Sequence, residues 1–119
     1  MERVEDTDIE YDDGIAFLND DVYTGEVVEL DSDGNVIGLI TYKRGHEHGP
    51  WLEWYSSGAR KVEGQVDIGK GAVGTWRHWH ENGRLAQERR FDDRGRALSN
   101  RTWDAEGNLV EDRQYSNPM

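Results

Sequence analysis

Four histidines stand in two pairs, within His46-Glu47-His48 and within His78-Trp79-His80. Residues two apart on a strand share a face, so each pair could chelate a metal ion. The first pair follows a turn-like glycine and the second flanks a tryptophan, so nothing in the sequence brings the pairs together, and no metal site is expected. Asp6, Asp8, Glu10, Asp12 and Asp13 crowd a segment with few anchoring residues. Carboxylates that catalyse need a shaped, partly desolvated pocket to tune their pKa values, which this segment does not suggest. Asp31-Ser32-Asp33-Gly34 has the opening of a calcium loop without its later ligands or its closing bidentate Glu. Gly69-Lys70-Gly71 lacks the rest of a phosphate-binding loop, and no Ser or Thr sits in a nucleophile elbow. Arg89, Arg90, Arg94 and Arg96 form a basic cluster that reads either as an anion contact or as partners of Glu88, Asp92 and Asp93. The residues thus point to no enzyme and to no cofactor.

What remains is chemistry of contact. Asp12, Asp13, Asp20, Asp21, Glu26 and Glu29 are candidate electrostatic contacts, and Trp51, Tyr55, Trp76 and Trp103 candidate aromatic ones. Residues 1–42 hold 13 acids and one base, Arg3, for a net charge of −12, whereas residues 43–119 hold 12 acids and 13 bases, for +1. The overall charge of −11 therefore belongs to the first third alone. Such a field repels nucleic acid and anionic lipid and attracts a basic protein. Only 34% of the chain is hydrophobic while 33% is charged, which argues against a thick core. Five Trp, five Tyr and two Phe fit a thin structure with an aromatic spine. No cysteine is present, and the start Met1-Glu2-Arg3-Val4-Glu5-Asp6 lacks the pattern of a signal peptide. No apolar stretch approaches a bilayer span. The expected location is cytoplasmic, with no membrane or nucleic-acid partner.

The elements that position these residues repeat. Gly34, Gly58, Gly83 and Gly107 are 24, 25 and 24 residues apart, each closing a turn-like tetrad: Asp31-Ser32-Asp33-Gly34, Tyr55-Ser56-Ser57-Gly58, His80-Glu81-Asn82-Gly83 and Asp104-Ala105-Glu106-Gly107. Four residues before each glycine stand Leu30, Trp54, Trp79 and Trp103, seven before stand Val27, Trp51, Trp76 and Asn100, and nine before stand Gly25, Gly49, Gly74 and Leu98. Eight residues after each glycine stand Tyr42, Val66, Phe91 and Tyr115, with a second turn-like stretch beyond. Two strands and two turns fill one such period. Trp51 and Trp54 are three apart, so either a bulge re-aims one of them or both sheet faces carry aromatics. The fold class is all-β: an elongated antiparallel β-meander of about four stacked β-hairpin repeats with a period of about 24–25 residues. Eight or nine strands are expected over residues 13–116, preceded by an acidic segment 1–12 whose order the sequence leaves open. That segment and the Pro118 tail are expected to protect the sheet's edges.

Tyr23-Thr24-Gly25-Glu26-Val27-Val28, Gly49-Pro50-Trp51-Leu52-Glu53-Trp54-Tyr55-Ser56-Ser57-Gly58 and Gly74-Thr75-Trp76-Arg77-His78-Trp79-His80-Glu81-Asn82-Gly83 resemble the MORN-repeat-variant family, especially bacterial YwqK-like antitoxin proteins. The resemblance covers residues 14–115. It implies stacked β-hairpins and a cytoplasmic antitoxin or immunity protein that neutralises a cognate toxin, encoded by a neighbouring gene, by direct contact. A basic toxin would meet the acids named above. The alternative expectation is a structural scaffold that self-associates weakly through sheet edges. The fourth copy departs from the pattern, with Asn100 where a tryptophan is expected.

Overall fold

The glycine tetrads are where the chain reverses. In the computed structural model, which describes residues 1–115, the amide of each tetrad glycine donates to the carbonyl three residues earlier, as in Gly58 N–H to Tyr55 O at 2.8 Å and Gly83 N–H to His80 O at 2.9 Å. Gly58 and Gly83 have φ of 91° and 88°, a region where a Cβ is strained, so the position demands glycine. Between reversals the chain is extended: β5 (Gly25–Leu30), β6 (Val36–Lys43), β7 (His46–Trp54), β8 (Arg60–Asp67), β9 (Gly71–Trp79), β10 (Leu85–Phe91), β11 (Ala97–Trp103) and β12 (Leu109–Gln114). These eight strands pair in chain order as an antiparallel meander. The all-β repeat architecture expected from the glycine spacing is therefore the one observed. The expected domain end at residue 116 and the Pro118 tail lie outside the described residues.

The first 24 residues build the remainder. β1 (Arg3–Glu5) pairs parallel to β5, with Val4 opposite Val27, and so adds a ninth strand that covers the first edge of the meander. A 3-10 turn (Asp6–Asp8) then lifts the chain off the sheet into a small antiparallel sheet of β2 (Glu10–Asp12), β3 (Ile15–Leu18) and β4 (Asp21–Val22). The small sheet is anchored by backbone bonds from Ala16 N–H to Gly45 O at 2.9 Å and from Gly45 N–H to Tyr23 O at 2.7 Å. The acidic segment is thus fixed by backbone pairing over most of its length.

Directly opposed residues of neighbouring strands share a face, so the register assigns every side chain. One face, here called the inner face, carries Val27, Ile40, Trp51, Gly64, Trp76, Arg89 and Asn100 in one row. The outer face carries Leu39, Leu52, Glu63, Arg77, Glu88, Arg101 and Asp112. Trp51 falls on the inner face and Trp54 on the outer, so both faces carry aromatics. Bulges are present as well. The register slips by one residue in the strand pair that each tetrad joins, at Glu29/Leu30, Glu53/Trp54, Leu85/Gln87 and Thr102/Trp103. A recurrent bulge adds twist to a long open sheet.

The small sheet covers the inner face at the N-terminal end only, and the core lies there: Ile9, Ala16, Tyr23, Val27 and Tyr42, with Val4, Leu18 and Ile40 packed against it. The repeat position filled by Tyr42, Val66, Phe91 and Tyr115 runs from 4% and 9% exposed in its first two copies to 37% in its last. The radius of gyration is 16.0 Å, against about 13–14 Å for a compact chain of this length.

Candidate interaction surface

The six acids singled out by charge do not converge on one point. Asp12 and Asp13 lie where β2 turns into β3, and Asp20 and Asp21 where β3 turns into β4, so the two pairs mark opposite ends of the small sheet. Asp13 and Asp20 hold φ of 53° and 70°, which the turns impose. All four are exposed. Glu26 sits on the outer face of β5, and the Arg3 guanidinium lies 2.8 Å from its carboxylate. Glu29 is on the inner face, opposite Gly38. Among the described residues, no base pairs with Asp12, Asp13, Asp20, Asp21 or Glu29.

The second half of the chain is arranged differently. Glu63, Arg77, Glu88, Arg101 and Asp112 oppose one another across five consecutive strands of the outer face, alternating in sign. Arg77–Glu88 and Arg101–Asp112 close to 3.2 Å each. Exposed pairs of this kind add little stability individually, but they cancel the field of that half. Two members of the basic cluster have partners of their own: Arg96 grips Asp92 at 2.7 Å, and Arg89 lies 5.0 Å from the ring centroid of Phe91. The uncompensated charge of the molecule is therefore that of its folded N-terminal third.

The aspartates that open the turns, Asp31 of the calcium-like run included, serve those turns. Asp31 Oδ1 accepts from the amides of Asp33 and Asn35, both at 2.9 Å, and Asp104 accepts in the same way from Glu106 and Asn108. Asp92 does so from Arg94 and Arg96. These amide donors, led by those of Asn35, Arg96 and Asn108, hold the three carboxyls below the usual aspartate range. Among the described residues no three potential ligands converge on a metal-sized point. His48 Nδ1 sits 3.1 Å from Asp67, while His78 is half-buried and lowered in pKa chiefly by desolvation.

The aromatic candidates divide between two roles. Trp51 and Trp76 pair on the inner face, with ring centroids 5.9 Å apart and planes at 55°. The Trp76 indole occupies the space above Gly64, and its Nε1–H donates to Gln65 O at 3.1 Å. Tyr55 and Trp103 take part in a hydrogen bond that recurs from one hairpin to the next. The Tyr55 hydroxyl donates to Trp79 O at 2.6 Å, and His80 Nε2 lies 3.0 Å from Trp103 O. Tyr55 and His80 hold the same repeat position, just after the tryptophan, so the Tyr55–Gly58 and His80–Gly83 turns are each stapled to the hairpin beyond.

Two concave features join acids to aromatics: a shallow one on the small sheet, lined by Glu10, Tyr11, Asp12, Phe17 and Asp20, and a deeper one beneath it. Between the small sheet and the inner face lies a cleft of about 220 Å³, with Val27, Gly38, Ile40 and Trp51 along the main sheet and Tyr11 and Asp6 on the opposite side. Glu29 and Glu53 flank Gly38 from the two neighbouring strands, and Trp51 Nε1–H donates to Glu53 Oε2 at 2.8 Å. Sequence reasoning did not place Glu53, Asp6 or Gly38 among the contact residues. A signal for Glu53 was present: Glu29 and Glu53 both stand five residues before a tetrad glycine, where later copies carry His78 and Thr102.

A family model described as MORN repeat variant matches residues 72–93. That stretch is most of β9, the His80–Gly83 turn and β10, one hairpin of the meander. No curated protein and no solved structure matches the chain.

Proposed function

We propose that this repeat protein is a protein-binding module, and most specifically a cytoplasmic antitoxin or immunity protein that neutralises a basic toxin by direct contact. The observation that carries the reading is the placement of its charge. Asp12, Asp13, Asp20 and Asp21 are exposed, unpaired among the described residues and mounted on a backbone-paired sheet, while on the outer face of the second half Glu88 and Asp112 are matched by Arg77 and Arg101. A preorganised one-sign patch accelerates encounter with a complementary surface and fixes its orientation. The matched hairpin, one example of a repeat variant, supports the scaffold that presents the patch. The test is co-expression with the product of the neighbouring gene, followed by co-purification. The reading expects suppressed toxicity and a complex whose association slows at high salt. Undiminished toxicity, or no complex at micromolar concentration, refutes it.

A specific observation favours a second reading, a scaffold that self-associates. β12 is the last strand of the sheet, and Leu109 and Val110 on it are 54% and 67% exposed. An open edge pairs readily with another chain. Light scattering across a concentration series separates the two readings: growing oligomers support the scaffold, and a constant monomer mass removes it.

A further inference from the structure

We propose that the cleft between the small sheet and the inner face receives a single arginine side chain of the partner protein; this rests on the protein-binding reading above. At about 220 Å³ the cleft is smaller than the roughly 300–1,000 Å³ that hold whole small-molecule ligands, and it suits one long side chain. Gly38 opens it. A side chain there would project between Glu29 and Glu53, and its absence leaves an apolar floor of Val27 and Ile40 between two carboxylates. Their Cα atoms lie two strand spacings apart, roughly 9–10 Å. The two carboxylates face each other across Gly38, an arrangement that suits a flat guanidinium with donors along both edges.

The remaining groups fit the same occupant. Trp51 stands at the wall with its N–H committed to Glu53, which fixes that carboxylate, and its indole lines the cleft where a cation would sit. Tyr11 stands across from it, its ring 6.3 Å from that of Tyr42. Asp6, at the start of the 3-10 turn, adds a third carboxylate at the opening. A lysine ammonium would satisfy the charge but not the planar wall, and a divalent ion would find no convergent ligand set among the described residues.

The experiment is an NMR titration of the whole chain, following the Trp51 indole N–H, with N-acetyl-L-arginine amide and with its neutral isostere N-acetyl-L-citrulline amide. The inference expects a saturable shift with the arginine probe only, weakened about tenfold in Glu29→Gln/Glu53→Gln. It expects little change in Asp12→Asn/Asp20→Asn. Gly38→Val, which fills the floor without altering charge, should abolish the shift, and a dispersed spectrum verifies that each variant is folded. An absent or unsaturable shift, equal response to citrulline, equal loss in the Asp12/Asp20 variant, or tighter binding of Ca²⁺ than of the arginine probe overturns it. Failure of toxin suppression with arginine binding intact would refute the proposed function and leave the cleft assignment standing. Suppression without arginine binding would do the reverse.

Discussion

Replacing Gly64 by alanine tests how the inner face holds its aromatics. A Cβ at Gly64 would fall within the Trp76 ring, against its fused-ring carbons, so the indole must leave its seat. A large aromatic buries roughly 150–250 Å², and Trp76 is half-buried. Displacing about 100 Å² at about 25 cal/mol/Å² costs about 2.5 kcal/mol. Losing the Nε1–H bond to Gln65 costs about 1 kcal/mol more, and uncoupling the Trp51 pair about another 0.5–1 kcal/mol. Alanine returns about 0.5–1 kcal/mol relative to glycine within a strand. The expected net loss is about 3–4 kcal/mol, a fall of roughly 12 °C or more in Tm for a chain of this size. Gly38→Ala is the control: it also lies in a strand, but its Cβ would meet Glu29 at 3.5 Å, an ordinary contact. Urea unfolding followed by tryptophan fluorescence gives the two stabilities, and circular dichroism reports the coupled indoles. Equal stability of Gly64→Ala and Gly38→Ala, with the indole couplet retained, would refute the argument that the missing side chain is what seats Trp76.

Two further outcomes follow from the turns. Tyr55→Phe removes only the hydroxyl that reaches Trp79 O, and the protein should lose about 1 kcal/mol in urea; a shift within error would mean that the inter-turn staple contributes nothing. The carboxyls of Asp31, Asp92 and Asp104 are held below the usual aspartate range. Their contribution is therefore fully present above the unfolded pKa of about 3.9 and is lost as pH falls below it toward the depressed folded values. The triple variant with Asn at all three positions should lose less stability than wild type between about pH 5 and pH 3, and identical pH profiles would show that the turn hydrogen bonds are not coupled to ionisation.

Much of this fold was legible because turns are local. A tetrad that ends in a glycine at positive φ is specified by four neighbouring residues, and four copies at a near-constant spacing leave little besides a meander to build. The difficulty of Trp51 and Trp54 was legible as a question only. Alternation of faces puts them apart, and the bulge in the strand pair that each tetrad joins is a register event between two strands, which one strand's sequence does not display. The acids were readable as a field, since charge adds over a segment whatever its shape. Their sorting was not: Glu26 is engaged by Arg3 from a strand that enters parallel, and Glu29 faces a cleft that exists only once the small sheet docks.

The sequence by itself determined the turn positions of the repeats, the meander they build and the third of the chain in which negative charge gathers, because each is settled by short-range geometry or by simple summation. Only the tertiary structure decided which acids are spent on internal partners, which tryptophans share a face, and that Gly38, Glu29, Glu53 and Trp51 border one opening. Those relations join β5, β6 and β7 with a separate small sheet, and the strand register and sheet docking that create them are products of the folded chain.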